Sequence, residues 1–274
     1  MLDFTVNRTT CTRCGECATD CPARIISMKE GFPTISPDKE ATCYRCQHCL
    51  TICPAGAVSI LGLTSDDSRR LAGNYPDPDQ LETLIKGRRS VRRYKPENLE
   101  PELLQHLLEV AWHAPTGKND RSVLFTVVDD RDKLSRLRDG VMAGLGELAR
   151  ADTLPKGMEF YADFVRMWED KKVDILFRGA PHLLIASSPR HCASPVPDCL
   201  IAMAYFELFA QSQGVGTVWN GLTKWAIDDI LPETRLLLGI PEDHVIGYAM
   251  SFGRPALRYY RTVQHGPAHI NRVA

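Results

Sequence analysis

The sequence has no excess of charge of either sign. Its 33 Lys and Arg stand against 34 Asp and Glu, a formal net charge of −1, so no basic field exists to attract nucleic acid or an acidic membrane surface. It has no apolar run long enough to span a bilayer. Met1 to Thr10 holds no basic segment followed by an apolar stretch, so no signal peptide is read there. The expectation is a cytoplasmic protein with neither nucleic-acid nor membrane partners. A dinucleotide fingerprint is also missing: Gly214-x-Gly216-x-x-Trp219 puts an indole where a third small residue belongs, so no Rossmann unit is expected. Cysteine is nearly lacking from most of the chain, since only Cys192 and Cys199 lie beyond Cys53. The other eight are crowded between Cys11 and Cys53. In a cytosolic chain such density argues for metal ligation over disulfides.

With 274 residues the chain suits two unequal domains better than one core. Residues 1–63 are cysteine-rich, with short apolar pieces and turn residues. Residues 64–79 (TSDDSRRLAGNYPDPD) are polar with Gly and two prolines and read as a linker. Residues 80–274 carry longer helix-like and strand-like runs.

The first part repeats itself. Cys11-x-x-Cys14-x-x-Cys17-x-x-x-Cys21-Pro22 recurs as Cys43-x-x-Cys46-x-x-Cys49-x-x-x-Cys53-Pro54, so two pseudo-symmetric halves sharing one core are expected. A cubane iron–sulfur cluster needs four converging thiolates. Cysteines three apart set three sulfurs on one side of a tight loop, and in the bacterial two-cluster pattern the fourth Cys of each run serves the other cluster. On that rule Cys11, Cys14, Cys17 and Cys53 hold one [4Fe–4S] cluster, and Cys43, Cys46, Cys49 and Cys21 hold the other. Gly15, Ala18, Ala55 and Gly56 keep side chains away from the sulfurs, so that backbone N–H groups can approach. A pair of zinc sites is the rival reading, but such sites leave no surplus Cys in a run of this kind. His48, among the second set, is read as a side chain that tunes hydrogen bonding, because the thiol set is already complete. This part resembles a bacterial two-cluster ferredoxin over about its whole length.

The second part reads as α+β. Leu99, Leu103, Leu107 and Ala111 recur at helical spacing, with Pro101 in the first turn and Pro115 beyond the end. Val123–Val128, Leu183–Ala186 and Val245–Phe252 read as strands. Met158, Tyr161, Val165 and Trp168 suggest one apolar helix face. Leu200–Ala210 is apolar nearly all round, broken only by Glu207, so it must be covered on several sides, by its own sheet or by another subunit. Residues 141–177 fit no pattern and are expected either to form a lid or to cover hydrophobic surface. Arg88-Arg89-Ser90-Val91-Arg92-Arg93-Tyr94 concentrates cations and a hydroxyl in a way that suits a phosphate, though such a run alone is more often a solvated surface. Cys192 and Cys199 read as inert thiols, and His113 and His182 as packing residues.

Arg88–Tyr94, then Ala114-Pro115-Thr116-Gly117-Lys118-Asn119, then Trp219-Asn220-Gly221, then Ile240-Pro241-Glu242 to Gly253-Arg254-Pro255 follow in an order and spacing that resemble the FMN-dependent nitroreductase family from about Gln80 to Ala274. The resemblance implies a three-layer α/β/α domain with a mixed sheet, built as an intertwined homodimer with FMN at each interface. It implies that Arg88, Arg89, Ser90 and Arg92 bind the FMN phosphate and ribityl chain, and that Asn119 bonds the isoalloxazine edge beside Pro115, Thr116 and Gly117. Trp219, Asn220 and Gly221 would line the flavin near its reactive nitrogen, and Arg258 or Arg261, with Arg261 preferred, would complete the phosphate grip. Relatives bind NAD(P)H directly over the flavin, so the incomplete fingerprint does not exclude that donor. The function expected is an oxidoreductase that passes electrons from a low-potential donor, such as an external ferredoxin, through two [4Fe–4S] clusters to FMN. From there they reach a small organic acceptor: a nitroaromatic, quinone or activated alkene. Two rivals stand behind it: an NAD(P)H-dependent flavin reductase exporting electrons through the clusters to a protein, and an electron-carrier or regulatory module with no substrate of its own. No catalytic acid can be named.

Overall fold

The computed structural model describes residues 2–273, and its contacts divide the chain into two units. The first runs to Pro76 and takes in Lys118–Asp120; the second comprises Asp77–Gly117 and the chain from Arg121 onward.

In the first unit the duplicated sequence folds as a duplicated backbone. Its elements are β1 (Thr5–Val6), α1 (Glu16–Thr19), β2 (Ile26–Lys29), β3 (Phe32–Ile35), α2 (His48–Thr51) and β4 (Val58–Ser59). β1 pairs with β4 and β2 with β3, both antiparallel. The loops between cysteines use left-handed residues at matching offsets: Arg13 and Arg45 (φ 60° and 53°), Gly15 and Gln47 (78° and 62°), Arg24 and Gly56 (53° and 60°). Positive φ is costly for Arg and Gln. Its recurrence at the same distance from equivalent cysteines marks it as required by the cysteine loops. Cys17 and Cys49 are buried with Leu2, Ile25, Ile26, Leu50, Val58 and Ile60. Part of the polar stretch expected as a linker packs here: Ser65 Oγ donates to the Gly56 carbonyl at 3.1 Å.

The second unit contains α3 (Pro78–Gly87), α4 (Pro101–Ala111), β5 (Leu124–Val128), α5 (Arg131–Arg150), α6 (Tyr161–Lys171), β6 (His182–Pro189), α7 (Pro195–Ser212), β7 (Gly216–Trp219), α8 (Gly221–Trp225), a π-helical turn (Ala226–Ile230), α9 (Thr234–Leu237) and β8 (His244–Gly253). The sheet order is β5-β6-β8-β7 with every neighbour antiparallel. Its mixed character lies at one edge, where Ser90 forms a parallel bridge to Thr217 and the Val91 N–H donates to the Thr217 carbonyl at 2.8 Å.

Three layers follow from the period-two alternation of the strands. Leu183 and Ile185 of β6, with Ile246, face α5 and α6 through Val141, Met142, Leu145, Tyr161 and Val165. Leu184 and Ala186, with Met250 and Phe252, face α4 and α7 through Leu107, Ala111, Met203 and Phe206. Residues 141–177 therefore cover one sheet face with buried side chains. At Ala186/Ser187 the register shifts from Tyr248 to Ile246, leaving Gly247 as a bulge. A Cβ there would lie 2.3 Å from Cys199 Cβ, so the bare glycine is what lets α7 lie against β8.

Candidate functional site

Cys21, Cys43, Cys46 and Cys49 line one cavity, about 340 Å3 counting its open mouth, together with Ile26, Ile35 and Ile60. These are the four thiols that crossed ligation assigns to one cluster. Of the other set, Cys17 is buried, Cys11 and Cys53 are half-buried and Cys14 is exposed. Burial, reinforced by nearby Cys53 and Cys14, holds the Cys17 thiol above its ordinary pKa. Burial pushes Cys49 up to about 11, with Cys46, Cys43 and Cys17 adding to the effect. Both thiols are thus protonated at neutral pH unless a metal takes the proton's place, so ligation and deprotonation are coupled. Two backbone donors reach sulfur, Ala57 N–H to Cys53 Sγ at 3.2 Å and Arg45 N–H to Cys43 Sγ at 3.4 Å. Such bonds stabilise thiolates and tune cluster potential. Among the described residues no three Cys, His, Asp or Glu side chains gather as a single ion would need. His48 Nδ1 lies 3.0 Å from Asp20 Oδ2, an exposed pair linking the two halves of the repeat.

The arginine run leaves the end of α3 and passes along β7. Arg88 Nη1 donates to Glu207 Oε1 at 3.2 Å. The same oxygen accepts from Thr217 Oγ1 at 3.1 Å, while Glu207 Oε2 accepts from Trp219 Nε1 at 2.9 Å. Sequence reasoning gave Glu207 no role. The signal was present, because a lone carboxylate on an otherwise apolar helix must find donors if it is buried. Arg89 Nη2 donates to the Lys86 carbonyl at 3.1 Å, and its Nε is buried without a partner among the described residues. An unsatisfied guanidinium N–H beside Ser90 suits a phosphate oxygen. Arg92 is exposed, with Nη1 3.3 Å from the Ser90 carbonyl. Arg258 and Arg261 both line a cavity of about 1010 Å3, counting its mouth, with Gly87, just before the run, and Val91 within it. Arg258 stacks over Tyr260 at 5.5 Å, and Arg261 Nη1 donates to the Tyr260 carbonyl at 2.8 Å.

Of the second group of residues, Gly117 is held at the start of α7. Buried Asp198 accepts the Gly117 N–H with Oδ1 at 3.0 Å and Oδ2 at 3.2 Å. Thr116 Oγ1 accepts the Arg121 N–H at 3.0 Å, and Pro115 is exposed. Lys118 and Asn119 follow with φ of 54° and 58°. Within the first unit, Asn119 Nδ2 donates to the Tyr44 carbonyl at 2.8 Å. Asp198 and Glu207 are nine residues apart, about 14 Å along the helix, so α7 organises both groups from opposite ends.

Asn220 turns its side chain inward. Nδ2 donates to the Leu176 carbonyl at 2.6 Å and Ser251 Oγ at 2.9 Å, while Oδ1 caps α8 by accepting the Thr223 N–H at 3.1 Å. Beside it, the Trp219 ring packs edge-on against Tyr248 at 5.3 Å. A Cβ at Gly221 would meet Tyr248 Oη at 2.7 Å. Cys199 is fully buried and burial pushes its thiol up to about 12, whereas Cys192 is half-buried. Buried His182 accepts the Leu99 N–H through Nε2 at 2.8 Å and stacks on Phe252.

Residues 85–254 match the family model of the nitroreductase family, and residues 10–58 match that of a 4Fe–4S dicluster domain. Nitroreductase NfnB of Mycolicibacterium smegmatis is 27% identical over 199 residues, spanning 61% of this chain and 82% of that protein. Among solved structures, a nitroreductase with bound FMN from Bacteroides fragilis is 26% identical with a TM-score of 0.56, covering 70% of this chain and 99% of that one. One with bound FMN from Desulfitobacterium hafniense is 25% identical with a TM-score of 0.55, covering 70% and 98%.

Proposed function

Because this chain belongs to the nitroreductase family and carries a 4Fe–4S dicluster domain, we propose that it is an iron–sulfur flavoprotein whose clusters feed its flavin. It is an FMN-dependent oxidoreductase with two [4Fe–4S] clusters. Electrons enter from a low-potential donor, cross the clusters to FMN and leave to a small organic acceptor: a nitroaromatic, quinone or activated alkene. The observation that carries this reading is the joining in one chain of a thiol-lined cavity, set by Cys21, Cys43, Cys46 and Cys49, with an arginine grip beside β7. Clusters move one electron at a time while a bound flavin takes one or two, so the protein supplies binding, orientation and electrostatics. A tethered cluster domain also raises the local concentration of reductant beside the flavin domain.

The chain's own groups divide the work. Arg88, Arg89, Ser90 and Arg92, with Arg258 and Arg261, hold the phosphate end. Trp219 and the Gly221 backbone face the ring, with Pro115, Thr116, Gly117 and Asn119 as the second set of contacts and Asn220 bracing the wall from within. The apolar α7 leaves Ile201 and Tyr205 exposed at 37% and 44%. A second copy seated on that face makes the homodimer; a monomeric mass by light scattering would rule it out.

The test is anaerobic stopped-flow spectroscopy with a reduced low-potential ferredoxin as donor. Cluster bleaching should precede or accompany FMN reduction. FMN that stays oxidised while the clusters are reduced refutes internal transfer. Direct reduction of FMN by NADH or NADPH, followed by cluster reduction, establishes the reverse direction of flow.

A further inference from the structure

We propose that Glu207 is a positioning residue for the flavin site, holding the Arg88 guanidinium and the Trp219 indole with one buried carboxylate. The inference rests on the FMN reading above and assigns to α7 the task of tying the phosphate grip to the residue beside the ring. The side chain of Glu207 is 9% exposed and that of Arg88 is 30% exposed. Glu207 uses both oxygens, Oε1 for Arg88 and Thr217 and Oε2 for Trp219.

An apolar residue would suit the packing of this helix, whose neighbours Phe206 and Ala210 are buried. It would leave the Trp219 N–H, the Thr217 hydroxyl and one arm of Arg88 without an acceptor. A negative charge close to a phosphate-binding run also works against anion binding by itself. Its presence is explained by what it holds. Arg carries five N–H donors in a rigid fork. Glu207 takes one of them, which fixes the side-chain torsions of Arg88 before the ligand arrives and directs the remaining donors outward. Ordering the side chain in advance lowers the entropy lost on binding. The second oxygen holds Trp219 in the plane that its contact with Tyr248 requires.

The full-length, cluster-loaded protein stripped of FMN is titrated with FMN, following flavin and tryptophan fluorescence. In Glu207→Gln the single amide oxygen cannot accept on both sides, so Arg88 or Trp219 is released. FMN Kd should rise about tenfold, and the emission change caused by the substitution should vanish in a Trp219→Phe background. Because Glu207 acts through Arg88 and Trp219, adding Glu207→Gln to the Arg88→Ala, Trp219→Phe double variant should cost less than a further twofold. Unchanged affinity in Glu207→Gln, or a further loss of the full single-variant size when it is added to the Arg88→Ala, Trp219→Phe background, overturns the proposal while leaving the FMN reading intact. A wild-type protein that binds no FMN overturns both. Should Glu207→Gln fail to fold, the coupling between Arg88→Ala and Trp219→Phe is measured instead. Less-than-multiplicative loss supports transmission through the shared carboxylate, and a simple product of the two losses overturns it.

Discussion

Replacing Gly247 with Ala tests how α7 is held against the sheet. The added Cβ would lie 2.3 Å from Cys199 Cβ and 3.1 Å from its Sγ. Carbon atoms pack best about 3.5–4.0 Å apart, so α7 must retreat by more than an ångström or β8 must distort. The Sγ can turn away but the Cβ is fixed by the helix backbone, and the interior offers little room to absorb the shift. Overpacking of this severity costs about 3 kcal/mol, roughly 150-fold in the folding equilibrium. For a unit of this size that lowers Tm by roughly 6–12 °C. Differential scanning calorimetry reads the loss directly. Cys199→Ala relieves the Sγ contact but keeps the closer Cβ, so it should rescue little. Cys199→Gly removes it and should recover the loss, less about 1 kcal/mol for a glycine inside a helix. Because the retreating helix carries Asp198 and Glu207, FMN affinity should fall in parallel with Tm. A Gly247→Ala protein melting within about 1 °C of wild type, or rescue by Cys199→Ala equal to that by Cys199→Gly, would refute the packing argument.

Crossed ligation makes the remaining signal diagnostic. Cys21→Ser should lose about half the iron and sulfide, and its reduced EPR spectrum should match that of Cys46→Ser, not that of Cys14→Ser; the opposite match would establish uncrossed ligation. Acid should weaken the second unit through His182. Burial lowers its pKa in the folded state, and its Nε2 must keep a lone pair to accept the Leu99 N–H. The stability it contributes is present above the ordinary His value near 6.5 and is lost as pH falls below it. Denaturant midpoints at pH 7.5 and 5.5 should therefore differ more in wild type than in His182→Gln, and equal differences would exclude His182 as a source.

The sequence was most legible where chemistry repeats in the chain or where burial imposes a period. The two cysteine runs announced a pseudo-symmetric unit, and the backbone repeats down to left-handed residues at equivalent offsets, Arg13 with Arg45 and Gly15 with Gln47. Strands β6 and β8 were visible because both faces of the sheet are covered, which makes Leu183–Ala186 continuously apolar and leaves few polar residues in Val245–Phe252. Helix α5 was not visible as a whole. Arg131–Arg150 buries Leu134, Val141, Met142, Leu145 and Gly146 while Arg, Asp and Lys fill its outer face, and its apolar stripe is too broken to stand out. The division of the chain was blurred for a similar reason. A polar stretch such as residues 64–68 reads as linker by composition, yet one hydroxyl, Ser65 Oγ on the Gly56 carbonyl, ties it to the first unit.

Polar interior contacts were hardest to read, because a side chain's type does not say which way it turns. Asn220 lies in a segment that the family resemblance assigns to the flavin, yet its amide is satisfied inside the fold by Leu176, Ser251 and Thr223. Asp198 and Glu207 interrupt an apolar helix and offered no sequence partner, yet each captures a group from a distant segment, Gly117 in one case and Arg88 in the other. Both partners lie far away along the chain, so no local pattern could pair them. Their requirement was still readable: a carboxylate at a buried helical position is costly unless donors converge on it. Two such positions on one helix therefore tie α7 to the Gly117 backbone at one point and to Arg88, Thr217 and Trp219 at another. The apolar residues of that helix make its core contacts, and its two acids tie distant segments of the chain to it.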